Sequence, residues 1–146
     1  MNKLNRLGLL VVLGLSVLAR ADEETKTIDA SDAAAITAAK DTNATVQGKV
    51  SSAEWSKSGK VCTIEFENAP TFMAAAFEKS KEKLDTAFGG DFAKNITGAT
   101  IKVTGKVAAY GGHAEKYKDA MQVVIKTTGQ ITVVTPASQP ATQPSN

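Results

Sequence analysis

Apolar and polar residues alternate in some parts of the chain and follow a helical period in others. Five stretches fit a period of two, which is typical of strands with one buried face; they cover residues 44–55, 61–67, 71–78, 100–110 and 120–134. In the first four stretches, one face collects the residues that we expect to point inward: Val46, Gly48, Val50, Cys62, Ile64, Phe66, Phe72, Ala74, Ala76, Ile101, Val103, Gly105 and Val107. The fifth contains Thr128-Gly129, a turn signal at which we expect the strand to bend.

A helical period occurs in two places. Leu84 and Phe88 are four residues apart, which predicts a helix over about residues 79–88, followed by a short helical piece that ends near Asn95. Before the first strand, an alanine-rich segment up to Lys40 predicts a short helix with Asp29 or Ser31 as its N-cap.

Five strands with a helix between the third and the fourth are the plan of the OB-fold, a small Greek-key barrel. We therefore predict a mainly β protein with a five-stranded OB-fold barrel over residues 44–135 and a leader with a short helix over residues 22–43.

The pattern V-x-G-K-V occurs in two of the predicted strands, at residues 46–50 and 103–107. Glycine is unfavourable inside a strand unless a bulge or a close backbone approach requires it. Both glycines share a face with the valines, which puts Lys49 and Lys106 on the outside. A match of three fixed positions can also arise by chance, but the common phase favours an architectural role.

Both ends of the chain differ in composition from the predicted barrel. Residues 1–21 have a positive start, an apolar run from Leu7 to Leu18 and the small-x-small sequence Ala19-Arg20-Ala21, which together are typical of a signal peptide. The interpretation predicts a periplasmic or secreted protein that begins at Asp22; an uncleaved membrane anchor is the alternative. Residues 136–146 are rich in proline, serine and glutamine and predict a disordered tail.

The charge balance argues against strong binding of nucleic acid. Without Lys3, Arg6 and Arg20, 14 of the 17 basic residues remain against 15 acidic ones, which gives a net charge of −1 and leaves no arginine. Arginine is the side chain best suited to bidentate phosphate contacts. Any polyanion site must therefore be built from lysines.

Little in the sequence supports catalysis. Cys62, the only cysteine, lies on the inward face of a predicted strand, and His113 is the only histidine. We therefore expect Cys62 to be a core residue rather than a reactive thiol, and we expect no enzyme activity, no metal site and no cofactor.

Ligand-binding candidates fall in two places. Trp55, Lys57 and Lys60 surround the first turn, where Trp55 could stack on a ligand or cap the end of the core. The second place is the insertion after Tyr110, which offers four more candidates and could equally be a solvated connection; they are Tyr110, His113, Lys116 and Tyr117. Phe77 is a further possible aromatic platform, whereas the lysines at 79, 81 and 83 alternate with glutamates as on a solvated helix face.

Six motifs resemble a bacterial family of exported OB-fold proteins related to tRNA-anticodon-type nucleic-acid-binding domains. They are TVQGKV, WSKSGK, IEF, FMAAAF, GATIKVTGKVAAYGG and MQVVIKTTGQITVV, spread over residues 44–134. The chain departs from the family pattern at Ile64-Glu65, at Thr127-Thr128 and in the insertion GHAEKYKDA. The resemblance implies an OB-fold that binds nucleic acid.

The sequence thus predicts an exported binding module whose ligand is single-stranded nucleic acid or another polyanion, bound weakly and without sequence specificity. Two alternatives remain at this stage. The barrel could bind a protein partner or an oligosaccharide in the cell envelope, or it could be the accessory domain of a nuclease or another enzyme.

Overall fold

The computed structural model describes residues 26–137; the predicted signal peptide and nearly all of the predicted tail lie outside this range. Residues 26–137 form seven strands and three helices in the order β1 (Thr27–Asp29), α1 (Ala33–Ala38), β2 (Asn43–Trp55), β3 (Val61–Phe66), β4 (Phe72–Phe77), α2 (Glu78–Ala87), α3 (Phe92–Ile96), β5 (Thr100–Ala109), β6 (Met121–Ile125) and β7 (Ile131–Thr135). Short 3₁₀ turns precede β6 at Glu115–Tyr117 and β7 at Thr128–Gln130.

Five strands close into a barrel. Each is paired with the next in the order β2, β3, β4, β6, β5, and β5 pairs with β2 again to complete the circle. The β4–β6 pair is parallel and the other four are antiparallel. Because α2 and α3 lie between β4 and β5, the observed topology confirms the predicted OB-fold.

The two V-x-G-K-V segments are neighbours in this barrel. They run antiparallel in β2 and β5, with Val46 directly opposite Val103. Both glycines are at points of close approach, as predicted: a Cβ atom would lie 2.9 Å from the Phe66 ring at Gly48 and 2.8 Å from Val123 at Gly105.

The bulge in β2 lies at Ser51 rather than at Gly48. Val50 pairs with Phe66 and Ser52 with Glu65, so Ser51 has no opposite residue. The extra residue shifts the phase of the strand by one. As a result, Val50 and Ala53 are both buried although they are three positions apart.

The N-terminal helix begins later than predicted. Asp32, and not Asp29 or Ser31, is its N-cap, with a side-chain oxygen that accepts a hydrogen bond from the Ala35 amide at 3.0 Å. Asp29 instead ends β1, a short strand parallel to β2 that the sequence did not predict, and its carboxylate accepts hydrogen bonds from the amide and hydroxyl of Ser31. A carboxylate used in this turn cannot also cap a helix.

The core fills the barrel and the space beneath α2 and α3. Leu84, Phe92 and Ile96 of these helices are fully buried, which confirms the helical spacing in the sequence. Cys62 is buried as expected. Among residues 26–137, no helix is both long enough and apolar enough to span a membrane.

Candidate functional site

The outer face of β3 and β4 is the surface that OB-folds use for extended ligands, together with the loops on either side of it. Strand pairing places Glu65 opposite Met73, Thr63 opposite Ala75 and Val61 opposite Phe77. Met73 and Ala75 are almost fully buried but do not belong to the barrel core, because they point to the other side of the sheet. Other parts of the chain must therefore cover Met73 and Ala75 on the outer face of the sheet.

The insertion after Tyr110 lies beside these buried residues. Tyr110, Gly111 and Gly112 line a groove together with Met73 and Ala75. We call it the tyrosine groove; its volume is about 310 Å³. The residues that line it are Val61, Thr63, Met73, Ala75, Phe77, Tyr110, Gly111, Gly112 and Gln122. Gly112 lies against Tyr110: a Cβ atom there would be 2.2 Å from the tyrosine hydroxyl.

The predicted residues of this insertion form a packed group on the barrel. The rings of Tyr110 and Tyr117 meet edge to face with centroids 5.4 Å apart, and Lys116 Nζ lies 5.2 Å from the centre of the Tyr117 ring. His113 is exposed and does not belong to the group. The structure thus brings together three of the four candidates in this insertion.

Glu65 is a site residue that the sequence did not identify as a candidate. Its Oε1 atom accepts hydrogen bonds from Lys116 Nζ and from the Tyr117 hydroxyl. Hydrogen bonding to Lys116, followed by that to Tyr117, holds the pKa of Glu65 below its usual value. Desolvation, together with the hydrogen bond to Glu65, raises the pKa of Tyr117. The only signal in the sequence was the departure of Ile64-Glu65 from the family pattern.

A second cavity is lined by all three residues of this contact. It has a volume of about 400 Å³ and is lined by Ser51, Glu65, Phe66, Asn68, Ala69, Pro70, Phe72, Lys116 and Tyr117. The contact between Glu65 and the insertion therefore forms part of the wall of this cavity.

A third groove contains three lysines and one glutamate. This lysine groove has a volume of about 580 Å³ and is lined by Lys60, Phe77, Glu78, Lys79, Ser80, Val124, Ile125 and Lys126. Phe77 lines both this groove and the tyrosine groove, and 44% of it is exposed. Of the residues named from the sequence as ligand-binding candidates or platforms, this groove contains Lys60 and Phe77. The sequence placed Lys79 on a solvated helix face and did not single out Lys126. Only the fold brings the start of α2 next to the end of β6.

Trp55 is placed apart from these grooves. It pairs with Cys62, packs against the core and lies under Lys81 of α2, whose Nζ is 5.3 Å from the ring centre. Its indole nitrogen is buried and has no hydrogen-bond partner in the described part of the chain. This position fits the alternative in which Trp55 caps the end of the core rather than stacking on a ligand. Lys57 is exposed in the turn that follows.

Two observations concern metal binding and the reactivity of the cysteine thiol. No group of three or more His, Cys, Asp or Glu side chains within residues 26–137 could hold a metal ion. Burial, the largest cause, raises the pKa of Cys62 to about 12, so the thiol stays protonated near neutral pH.

Comparison with known proteins identifies the architecture. No protein family matches the sequence, and no curated protein is similar to it. Among solved structures, the fold is similar to a protein assigned as an aspartyl-tRNA synthetase from Leishmania major Friedlin, with a TM-score of 0.55, 14% identity and coverage of 80% of this chain. It is also similar to the aspartyl tRNA synthetase from Entamoeba histolytica, with a TM-score of 0.52, 14% identity and 83% coverage.

The chain corresponds to only part of these enzymes, 22% of the first and 24% of the second. At this level of identity, the similarity concerns the fold alone. The comparisons therefore show an OB-fold barrel of the kind also present in aspartyl-tRNA synthetases.

Proposed function

We propose that this protein binds single-stranded nucleic acid or a similar extended polyanion, weakly and without sequence specificity, across the outer face of β3 and β4. The observation that carries the proposal is Phe77, an exposed aromatic ring in a groove with Lys60, Lys79 and Lys126. Single-strand binding sites combine aromatic rings, on which bases stack, with lysines or arginines that follow the phosphates. The similarity of the fold to tRNA synthetases supports the proposal at the level of architecture.

The charges in the lysine groove fit a weak site. Glu78 offsets one of the three lysines, and lysine makes point-charge contacts rather than the paired hydrogen bonds of arginine. We therefore expect binding through a few phosphate contacts and one or two stacked bases. Contacts of this kind do not distinguish one base from another.

Fluorescence anisotropy of a labelled oligo-dT strand tests the proposal. Binding at low salt should weaken with a slope of about −2 in log K against log salt, as expected for three phosphate contacts on a single strand. Replacement of Lys60, Lys79 and Lys126 by Gln should remove most of the binding and flatten this slope. Replacement of the exposed lysines at 40, 83 and 94 by Gln changes the net charge equally and should have a small effect.

Phe77→Ala tests the stacking contact separately. It should weaken binding severalfold without unfolding the protein, since the ring is already 44% exposed. Val134→Ala is the matched control, because Val134 is 46% exposed but lies on β7. If neither the oligo-dT strand nor a sulfated polymer binds at low salt, the proposal is wrong. Salt-independent binding of a neutral oligosaccharide would favour the alternative of an envelope protein that binds oligosaccharides.

The proposal includes export and a binding role without catalysis. Export is supported by the pattern of residues 1–21 in the sequence. N-terminal sequencing of the protein recovered from a bacterial envelope or culture medium should give Asp22 as the first residue. Recovery of the protein from the cytoplasm with residues 1–21 still attached would contradict the proposal of export.

A further inference from the structure

Glu65 places a carboxylate on the outer face of β3, near the end of the strand that is farther from Phe77 and on the face where we propose that an anionic polymer binds. It is flanked by Ser52 on β2 and Met73 on β4, and only 25% of its side chain is exposed. A carboxylate at this position repels phosphate unless it is neutralised. Lys116 neutralises it, and Tyr117 donates a second hydrogen bond to the same oxygen.

Lys116 and Tyr117 belong to a loop, residues 111–119, whose two ends are held together by a backbone hydrogen bond. The Tyr110 amide donates to the Ala120 carbonyl at 2.9 Å and closes the loop where it leaves the barrel. Gly111 and Gly112 follow directly, and the 3₁₀ turn Glu115–Tyr117 carries both donors. Beyond the base, the contacts with Glu65 attach the loop to β3.

Lys116 and Tyr117 have the arrangement of an anion-binding site. A cationic amine and a hydroxyl converge on one oxygen atom, as they would on an oxygen of a phosphate group. Lys116 is otherwise well exposed, with 68% of its side chain accessible. An incoming anion can therefore reach the ammonium group of Lys116 and compete with Glu65 for it.

We infer that Lys116 and Tyr117 form a phosphate-binding subsite that Glu65 occupies in the free protein, so that a bound strand must displace Glu65 and lift the loop from β3. The inference rests on the proposed function and adds its regulation: Glu65 is an internal competitor of the ligand.

The chain contains a matched control for the removal of this charge. Glu67 is two residues further along and pairs with Lys49 at 3.2 Å, but neither residue lines any of the three grooves described above. Glu65→Gln and Glu67→Gln therefore change the net charge equally. Only the first frees Lys116.

Two measurements on these variants test the inference. Hydrogen exchange of the amides of residues 111–119, without ligand, should become faster in Glu65→Gln and stay unchanged in Glu67→Gln. Labelled oligo-dT should bind severalfold more tightly to Glu65→Gln than to the wild type or to Glu67→Gln. Adding Lys116→Gln to Glu65→Gln should abolish the gain. If the wild type binds the strand and both single variants bind it equally well, the inference is overturned while the proposed function stands.

Inorganic phosphate separates the inference from the proposed function. In Glu65→Gln, phosphate should shift the backbone NMR signals of Lys116 and Tyr117, and in the wild type it should shift them less. This result supports the subsite even if no polymer binds and the proposed function fails. The absence of these shifts in Glu65→Gln overturns the subsite whatever the polymer does.

Discussion

Gly48 lies directly against the ring of Phe66, with room for a hydrogen atom but not for a methyl group. A Cβ atom at this position would be 2.9 Å from ring carbon Cδ1 of Phe66 and 2.8 Å from the Cβ atom of Ala30. Neighbouring backbone or ring atoms must therefore shift if any side chain is added. The first V-x-G-K-V glycine is thus required by packing.

Gly48→Ala should destabilise the protein by about 1 to 3 kcal/mol, the usual cost of overpacking a tight core. The measurement is the urea midpoint, compared with Gly129→Ala, where a Cβ atom would meet nothing within 4 Å. Gly129→Ala should stay within about 0.5 kcal/mol of the wild type. An equal effect of both substitutions would mean that contact with Phe66 is not the reason for the glycine.

Gln130 joins the bend between β6 and β7 to β5 through all of its hydrogen-bonding groups. Its side-chain oxygen accepts from the amides of Lys126 at 2.7 Å and Thr127 at 3.0 Å, and its nitrogen donates to the carbonyls of Thr104 and Val124, both at 3.0 Å. Gln130→Ala should cost about 1 to 3 kcal/mol because these groups lose their partners.

Gln130→Glu separates hydrogen bonding from the volume of this side chain. A carboxylate keeps the size and both acceptors but places a negative oxygen against two carbonyl groups. We expect it to destabilise the protein at least as much as alanine at neutral pH, measured by the same urea titration. A Glu variant as stable as the wild type would show that the two donated hydrogen bonds contribute nothing.

The Cys62 thiol should be unreactive in the folded protein. Burial is the main cause that raises its pKa to about 12, and the thiolate is the species that reacts with disulfide reagents. At about pH 8, Ellman's reagent should label the folded protein only as fast as it unfolds, and the denatured protein at once. Rapid labelling without denaturant would contradict the buried position.

The contribution of Glu65 to stability should depend on pH in the acid range. Its pKa is lowered from 4.5 by hydrogen bonds from Lys116 and Tyr117, with a smaller effect of Ser52. A carboxyl whose pKa is depressed by folding stabilises the folded state above its ordinary pKa and loses this contribution as the pH falls through the folded value.

Urea midpoints of the wild type and Glu65→Gln, measured over this range, test the linkage. The advantage of the wild type should be largest above about pH 4.5 and should shrink at lower pH as Glu65 becomes protonated. A constant difference between the two proteins would mean that Glu65 does not titrate in contact with the loop.

The barrel could be predicted because its strands carry their signal locally. Val46, Ile64 and Val103 each alternate with polar neighbours, and that alternation requires a single buried face. The short strand β1 could not be predicted in this way, because three residues are too few to show an alternation. In addition, the Asp29 carboxylate accepts a hydrogen bond from a nearby backbone amide in a turn, and the sequence of such a turn resembles that of a helix N-cap. The bulge at Ser51 was hidden for a similar reason, since a shift of phase depends on the partner strand.

The candidate site was less predictable than the barrel. Tyr110, Lys116 and Tyr117 could be selected because they are close together in the sequence. Glu65 lies 51 residues before Lys116, and only the pairing of strands and the course of the loop decide that they meet.

The sequence by itself determined where the barrel strands lie along the chain, most of their inward faces and the need for the two glycines, because each depends on a periodicity or backbone requirement of a few consecutive residues. Only the tertiary structure decided where charges meet. It brings Lys60, Lys79 and Lys126 around Phe77, and it joins the predicted donors Lys116 and Tyr117 to a carboxylate. Electrostatic neighbours are set by distances in the folded chain, and no local pattern contains them.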